Sequence, residues 1–121
     1  MRILSRPASP DIAPLLFGYA PPRRSNDEAK TIRITNRRID RLARMPIDAL
    51  ILYDVQDESA RTDEERPFPY LPTIDPLSYA REYLVAPEVA SIPRIIYRAV
   101  ASHTPEENER YLNALDPEKE A

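Results

Sequence analysis

Short apolar runs alternate along the chain with segments of mixed polarity, and proline or charged residues bound most of the runs. The runs at 15–20, 49–53 and 95–100 are rich in aliphatic residues, which is typical of strands covered on both faces of a parallel sheet. The segments between them carry apolar residues at intervals of three and four, as amphipathic helices do. The pattern predicts an α/β fold with the order β-α-β-loop-α-β-α and right-handed crossovers between parallel strands.

Capping signals predict where the three helices begin. Ser25 and Glu28 have the spacing of a capping box, Asp75-Pro76 is a cap followed by a first-turn proline, and Thr104-Pro105 begins the last helix. The predicted buried side of the first helix consists of Ala29, Ile32, Thr35, Ile39, Leu42 and Ala43. That of the last helix consists of Tyr111, Leu112 and Leu115.

This order predicts a partial barrel. We expect residues 1–14, with three prolines and no periodicity, to be a loosely ordered leader, and residues 15–121 to form three βα units. Three parallel strands cannot close a (β/α) barrel, which needs eight strands and about 250 residues. A fourth strand is expected just beyond Asp116-Pro117, so the chain is predicted either to dimerise or to be a piece of something larger.

Composition removes several kinds of chemistry. The 121 residues include one Gly, one His and no Cys. A dinucleotide fingerprint or a phosphate loop needs several glycines, and a metal centre of the usual kind needs more His or Cys, so neither is expected. The net charge of −3 argues against nucleic acid as a partner. No apolar run is long enough to span a membrane, and we expect a cytoplasmic protein.

Candidate chemistry follows the strands, because functional groups of parallel α/β proteins lie at the carboxyl ends of the strands. Asp54 and Glu58 follow the second strand and can act as general acid or base, or orient a sugar or pterin ring. Arg23 follows the first strand and can meet a phosphate. Tyr53 and Tyr97 can stack on a planar ring. The alternative interpretation of the two acids is that they are solvated loop carboxylates. That of Arg23 is an ordinary basic residue at the start of a helix, and that of the two tyrosines is packing in the core. His103 is interpreted as an exposed loop residue.

A proline-rich stretch, residues 66–72, contains a PxxP pattern from Pro69 to Pro72 preceded by Arg66. One interpretation is a polyproline ligand for an aromatic groove, with a regulatory role. A rigid loop at the site that packs Phe68 and Tyr70 is the other.

Two stretches resemble a known family. Phe17-Gly18-Tyr19-Ala20-Pro21-Pro22-Arg23 resembles the Phe-Glu-Phe-Phe-Pro-Pro-Arg signature that closes the first strand of methylenetetrahydrofolate reductases. Residues 50–59 and 65–70 are similar to a bacterial branch of reductase-like proteins with the same TIM-barrel framework. The resemblance spans roughly residues 15–115 and covers the first three βα units of that barrel.

The resemblance implies a barrel that carries FAD and uses NAD(P)H to reduce 5,10-methylenetetrahydrofolate. It matches Tyr53 to a tyrosine near the flavin and Arg23 to the signature arginine. Tyr97, from its position at the end of the third strand, is a further candidate for cofactor contact. It also shows departures. The acid that helps to open the folate ring is matched by Gly18, which leaves Asp54 and Glu58 as candidates. Pro93-Arg94 stands where flavin-dependent members have Pro-His, and the loops after strands four to eight are absent.

Two hypotheses follow. The first is that the chain is the N-terminal part of a reductase-like protein that binds a folate-type small molecule. This part is expected to be inactive alone, because the loss of a general acid lowers the rate by about 10²–10⁴-fold. The second is a non-catalytic half-barrel that assembles with itself as a homo-oligomer or with a complementary half.

Overall fold

Three strands and four α-helices make up the regular structure in the part of the chain that the computed structural model describes, residues 13–56, 63–65 and 71–121. The elements are β1 (Leu16–Tyr19), α1 (Glu28–Leu42), β2 (Ala49–Leu52), α2 (Pro76–Glu82), α3 (Pro87–Ala90), β3 (Arg94–Ile96) and α4 (Pro105–Asn113). A short 3₁₀ turn at Val100–Ser102 lies between β3 and α4. Residues 1–12 of the predicted leader lie outside the described residues.

The strands form one parallel sheet in the order β1-β2-β3, which confirms the predicted α/β class. Gly18, Ile51 and Ile95 lie side by side in one row across the sheet. The next row is Tyr19, Leu52 and Ile96, and because side chains alternate along a strand, the two rows face opposite sides of the sheet. The strand order is that of consecutive βα units in a barrel.

A partial fourth pairing extends the sheet beyond β3. The Arg94 N–H donates to the Lys119 carbonyl at 2.8 Å, and the Ala121 N–H donates to the Arg94 carbonyl at 3.0 Å. This is a parallel bridge between Arg94 and Glu120. Residues 119–121 therefore lie beside β3 in the direction that a fourth strand of the predicted order would take.

The core lies between the helices and one face of the sheet. Leu50 and Leu52 of β2 pack with Leu42, Tyr79 and Val89 from the first three helices. Tyr19 and Ile96 pack against this cluster at its edge, so the row that contains Leu52 faces the helices. The opposite row, with Gly18, faces away from the core and forms what we call the open face of the sheet.

The buried side of α1 agrees with the predicted one only in part. Thr31, Thr35 and Leu42 are buried, whereas Ile32 is exposed, as are Ala29 and Ala43. The threonines tolerate burial because their hydroxyls have partners: Thr31 donates to the Asp27 carbonyl at 3.1 Å, and the Thr35 hydroxyl lies 3.0 Å from that of Tyr79. Thr35, Ile39 and Leu42 of the predicted side do face the core, so the prediction was right for three of its six residues and missed Thr31.

Two of the three predicted helix starts are confirmed. Asp75 caps α2, with its Oδ2 accepting the Ser78 N–H at 2.9 Å, and Thr104 and Glu107 form a reciprocal capping box at α4. Ser25 was wrong as the cap of α1, because Asp27 takes that position and accepts the Lys30 N–H at 2.7 Å. A carboxylate also interacts favourably with the positive end of the helix dipole.

Two further predictions are corrected near the end of the chain. The third strand ends at Ile96 and not at Val100, because the chain turns into the 3₁₀ segment. Leu112 is 65% exposed and does not belong to the buried side of α4. That helix is held instead by Arg98, whose guanidinium stacks 3.9 Å from the Tyr111 ring centroid and whose Nε donates to the Asn108 side chain.

Arg94 stabilises the start of β3 from inside the protein. Its Nη2 donates to the Leu84 carbonyl at 2.7 Å, and its Nη1 lies 3.3 Å from the carbonyl oxygens of Ala90 and Ile92. The guanidinium thus satisfies carbonyls at the ends of α2 and α3 that the helices leave unbonded. Burial lowers the pKa of Arg94, and the charge of nearby Glu120 acts in the other direction.

Glu120 fastens the C-terminal segment to α2. Arg81 binds both of its carboxylate oxygens, Nε to Oε1 at 3.0 Å and Nη2 to Oε2 at 2.6 Å, and the Asp116 N–H donates to Oε2 at 2.8 Å. Burial raises the pKa of the Glu120 carboxyl, but the hydrogen bonds from Arg81 and Asp116 and the positive charges outweigh it, so that the pKa lies below its ordinary value of 4.5.

Acidification should therefore weaken this attachment. A carboxyl whose pKa is lowered by folding contributes stability above its unfolded pKa, and the contribution is lost as pH falls through the folded pKa. We expect Glu120→Gln to lower the free energy of unfolding by about 1 kcal/mol at pH 7 and by progressively less below pH 4.5. Denaturant unfolding at pH 3–7 measures the difference, with the exposed Glu82→Gln as control. A difference that is constant over this range would contradict the assignment.

Candidate functional site at the carboxyl end of the sheet

The carboxyl ends of the three strands bring most of the predicted site residues to one edge. Tyr53 directly follows β2, Tyr97 directly follows β3, and Arg23 follows β1 by four residues. The Tyr53 N–H donates to the Tyr19 carbonyl at 3.2 Å, and the Tyr97 N–H donates to the Leu52 carbonyl at 2.9 Å. Parallel pairing therefore continues through both tyrosines and fixes where their side chains start.

Tyr53 lies across Gly18 on the open face. A Cβ atom at Gly18 would stand 2.7 Å from Cε2 of the Tyr53 ring and 2.9 Å from its hydroxyl oxygen. Both distances are shorter than a van der Waals contact, so the ring occupies the space that any side chain at position 18 would need. The absence of a Cβ at Gly18 is what allows the tyrosine to take this position.

Tyr97 packs edge-to-face against Tyr53. The two ring centroids are 5.1 Å apart, and the ring planes meet at 89°. Such a pair is worth about 0.5–1.5 kcal/mol beyond its buried area. Tyr53 remains 38% exposed and Tyr97 51% exposed, so neither is the core residue that the alternative interpretation expected. Together they present aromatic surface at the rim of the open face.

Asp54 ties the ends of β2 and β3 together. Its Oδ2 accepts the Ala99 N–H at 2.8 Å, and its Oδ1 accepts a hydrogen bond from the Gln56 side chain. Both oxygens are thus engaged, and the carboxylate holds the segment that follows Tyr97. The geometry assigns Asp54 a positioning contact. Glu58, the other candidate acid, lies outside the described residues, as do positions 66–70 of the proline-rich stretch.

The loop after β1 forms one wall of a pocket of about 520 Å³. Backbone hydrogen bonds join this loop to the segment before α2: the Ile74 N–H donates to Pro22 and the Arg24 N–H donates to Pro72, each at 3.0 Å. The described lining includes Arg23, Asn26 and Lys30. The volume is within the range of about 300–1,000 Å³ that is common for small-molecule sites.

Arg38 completes the basic lining of this pocket. Its Nη1 donates to the Ala20 carbonyl at 2.8 Å, and its guanidinium lies 4.3 Å from the centroid of the Tyr19 ring. Burial and the neighbouring Tyr79 hydroxyl raise the pKa of Tyr19, which stays neutral beneath the cation. Arg38 was not among the candidate site residues named from the sequence. Its spacing from Thr31 and Thr35 was the signal that it lies on the contact side of α1.

His103 lies apart from the aromatic pair. Its Nδ1 is 3.7 Å from the Glu107 carboxylate at the start of α4, a local contact at i,i+4 spacing. Within the described ranges, no group of three or more His, Cys, Asp or Glu residues is placed to hold a metal ion. No helix in these ranges is both long and apolar enough to cross a membrane.

The chain matches no protein-family model and no curated protein. It is similar to a solved structure described as an uncharacterized protein from Clostridium thermocellum that binds two copies of 5-methyl-5,6,7,8-tetrahydrofolic acid. The two are 31% identical with a TM-score of 0.67, and the match covers 87% of this chain. The chain spans 32% of the length of that protein.

The contact between Gly18 and Tyr53 can be measured by a double-mutant cycle. In a Tyr53→Ala background, Gly18→Ala should stabilise the protein by about 0.4–1 kcal/mol, because alanine restricts the unfolded chain. With Tyr53 present this gain should vanish, which corresponds to a coupling free energy of about 1 kcal/mol between positions 18 and 53. The Tyr53 ring should also be displaced, and its NMR chemical shifts should change. The same cycle with Tyr83→Ala, a tyrosine that packs on the helix side of the sheet, is the control. Equal coupling in both cycles would contradict direct contact.

Proposed function

We propose that this chain is the first part of a methylenetetrahydrofolate reductase-like barrel and binds a reduced folate at the carboxyl end of its sheet. The observation that carries the proposal is the likeness, over 87% of the chain, to a protein that binds 5-methyl-5,6,7,8-tetrahydrofolic acid. The exposed aromatic pair at the strand ends agrees with a planar ligand.

The sheet supports the barrel part of the proposal. Its three strands follow one another in sequence order, and residues 119–121 begin a fourth parallel pairing beside β3. In a complete barrel the open face would turn inward, and the ends of the strands would form the floor of the site. The aromatic pair then lies where the ligands of such barrels are bound.

We propose binding without reduction by this stretch, because Gly18 stands where the resembled enzymes keep their acid. The Tyr53 ring fills the adjoining space, and the phenol carries a hydrogen-bond donor there in place of a carboxyl. A phenol is a much weaker acid than a carboxylic acid, so opening the folate ring would need an acid from elsewhere. Asp54 is already bonded to Ala99 and Gln56.

FAD and NAD(P)H enter this proposal through the family resemblance. Bound flavin would supply hydride transfer from the nicotinamide. The aromatic faces of Tyr53 and Tyr97 fit an isoalloxazine ring as well as they fit a pterin, since both ligands are planar. Arg23, exposed beside the β1 loop, is the residue that we assign to an anionic part of the cofactor.

Calorimetric titration with 5-methyltetrahydrofolate tests the proposal. We expect the chain to bind it, and Tyr53→Ala to weaken binding by about two- to tenfold, the value of one aromatic contact. The control is Leu112→Ala, a more exposed apolar side chain on α4. A parallel titration with FAD reports on the cofactor. If titration with the folate at millimolar concentration releases or absorbs no heat of binding, the proposed function is contradicted.

A second candidate function is assembly with another half-barrel, and the open face favours it. Leu16, Tyr53 and Tyr97 are each more than a third exposed there, and each of these positions is turned away from the helices. Burying this face against a second copy would complete a parallel barrel-like core. Light scattering after gel filtration should then give twice the mass of the chain. A monomeric mass at a protein concentration of about 50 µM would contradict self-assembly.

A further inference from the structure

Four arginines form an exposed stripe along the outer side of α1. Arg33, Arg37 and Arg41 lie on the helix and Arg44 lies in the turn directly after it, and all four are exposed. They follow one another at intervals of four, four and three residues, which places them within about 80° of one another around the helix axis. We call this set the arginine stripe; it is about 16 Å long and faces away from the buried side of α1.

No acid of the described residues neutralises the arginine stripe. All of α1 is described, and none of the four guanidinium groups forms an ion pair. Asp40 borders the stripe, but it forms no ion pair with these arginines within 4.0 Å. Like charges three or four residues apart destabilise a helix, and Arg33 and Arg37 lie too far from its C-terminus to gain from the dipole. The stripe therefore lowers the stability of α1 unless an anion covers it.

We infer that the arginine stripe docks an acidic α-helix of a partner protein. A helix with carboxylates at every third or fourth residue has the same spacing of about 4.5–6 Å as the arginines, so that one carboxylate meets each guanidinium. A strand presents the side chains of one face about 6.6–6.8 Å apart and loses this register along the stripe. Arginine forms two parallel hydrogen bonds with a carboxylate, which adds direction to the charge attraction.

The charge of the rest of the chain favours a short acidic partner over an extended polyanion. The net charge of the chain is −3, so the chain without these four arginines carries −7. A nucleic acid or an anionic membrane extends beyond a stripe of about 16 Å and meets this negative charge. α1 also contains no aromatic side chain on which a base could stack or which could anchor the helix in a membrane.

The arginine stripe is independent of the proposed folate site. The aromatic pair lies on the open face of the sheet, whereas α1 packs on the opposite face. In a complete barrel the helices form the outer ring, so the stripe would face outward there as well. A partner bound to α1 would leave the carboxyl end of the sheet accessible.

An NMR titration with a designed peptide tests the docking surface. The probe is an alanine-based peptide of about 20 residues, long enough to be helical, with four glutamates at intervals of three and four residues. We expect shift changes at low salt that are concentrated on residues 33–44. Arg37→Gln/Arg41→Gln should weaken binding about fivefold, at roughly two- to threefold for each ion pair removed. The control is Arg24→Gln/Arg110→Gln, which removes two exposed charges outside the stripe and should leave the affinity unchanged.

Two further titrations distinguish the partner. A peptide of the same composition, with its glutamates spread around the helix, should bind about fivefold more weakly; equal binding overturns the helical register. A single-stranded oligonucleotide with four phosphates that binds the stripe as tightly as the matched peptide overturns the assignment to an acidic helix. If the matched peptide causes no shift change on α1 at millimolar concentration, the docking surface is overturned. Each of these outcomes leaves folate binding, measured separately, unaffected.

Discussion

Parallel pairing of three short strands is the constraint on which the rest of the molecule depends. Each strand is three or four residues long, and β2 supplies most of the strand side chains in the core. Because all three run in one direction, their ends meet at one edge, and residues far apart in sequence become neighbours there. Tyr53 could not lie over Gly18, or Tyr97 beside Tyr53, in any other register.

Elements defined by local chemistry were predictable from the sequence. The caps at Asp75 and Thr104 depend on residues within one turn, and the alternation of apolar runs with amphipathic segments indicated the order of the three strands and of α1, α2 and α4. Features that depend on tertiary packing were not predictable in this way. The spacing of apolar residues placed Ile32 on the contact side of α1, where Thr31 lies instead. The partner of the Thr35 hydroxyl, that of Tyr79, lies 44 residues away in sequence, and no hydrophobicity pattern indicates it.

The candidate site shows the same division. Arg23, Tyr53 and Tyr97 could be named from their positions after the strands, and the structure brings the two tyrosines into contact. The role of Asp54 could not be predicted from the sequence, because its partner Ala99 lies 45 residues away and only the tertiary fold brings the two together. Arg94 was noted as a departure from a family pattern, and its environment gives the physical reason: the long guanidinium reaches carbonyls that end two helices, which an imidazole is too short to do.

The strand order has a consequence for how the chain is made. Every strand pairs with the one that precedes it in sequence, so each new βα unit can dock on a surface that is already complete. Each parallel pair nevertheless joins residues that are far apart along the chain, 33 positions from Leu16 to Ala49 and 44 from Leu50 to Arg94, because a helix must cross between parallel strands. Such separations slow folding relative to local pairing. The strand order does allow structure to grow from the N-terminus while synthesis continues, with the unpaired edge moving one strand at a time toward the C-terminus. Residues 119–121 pair with β3 at that edge.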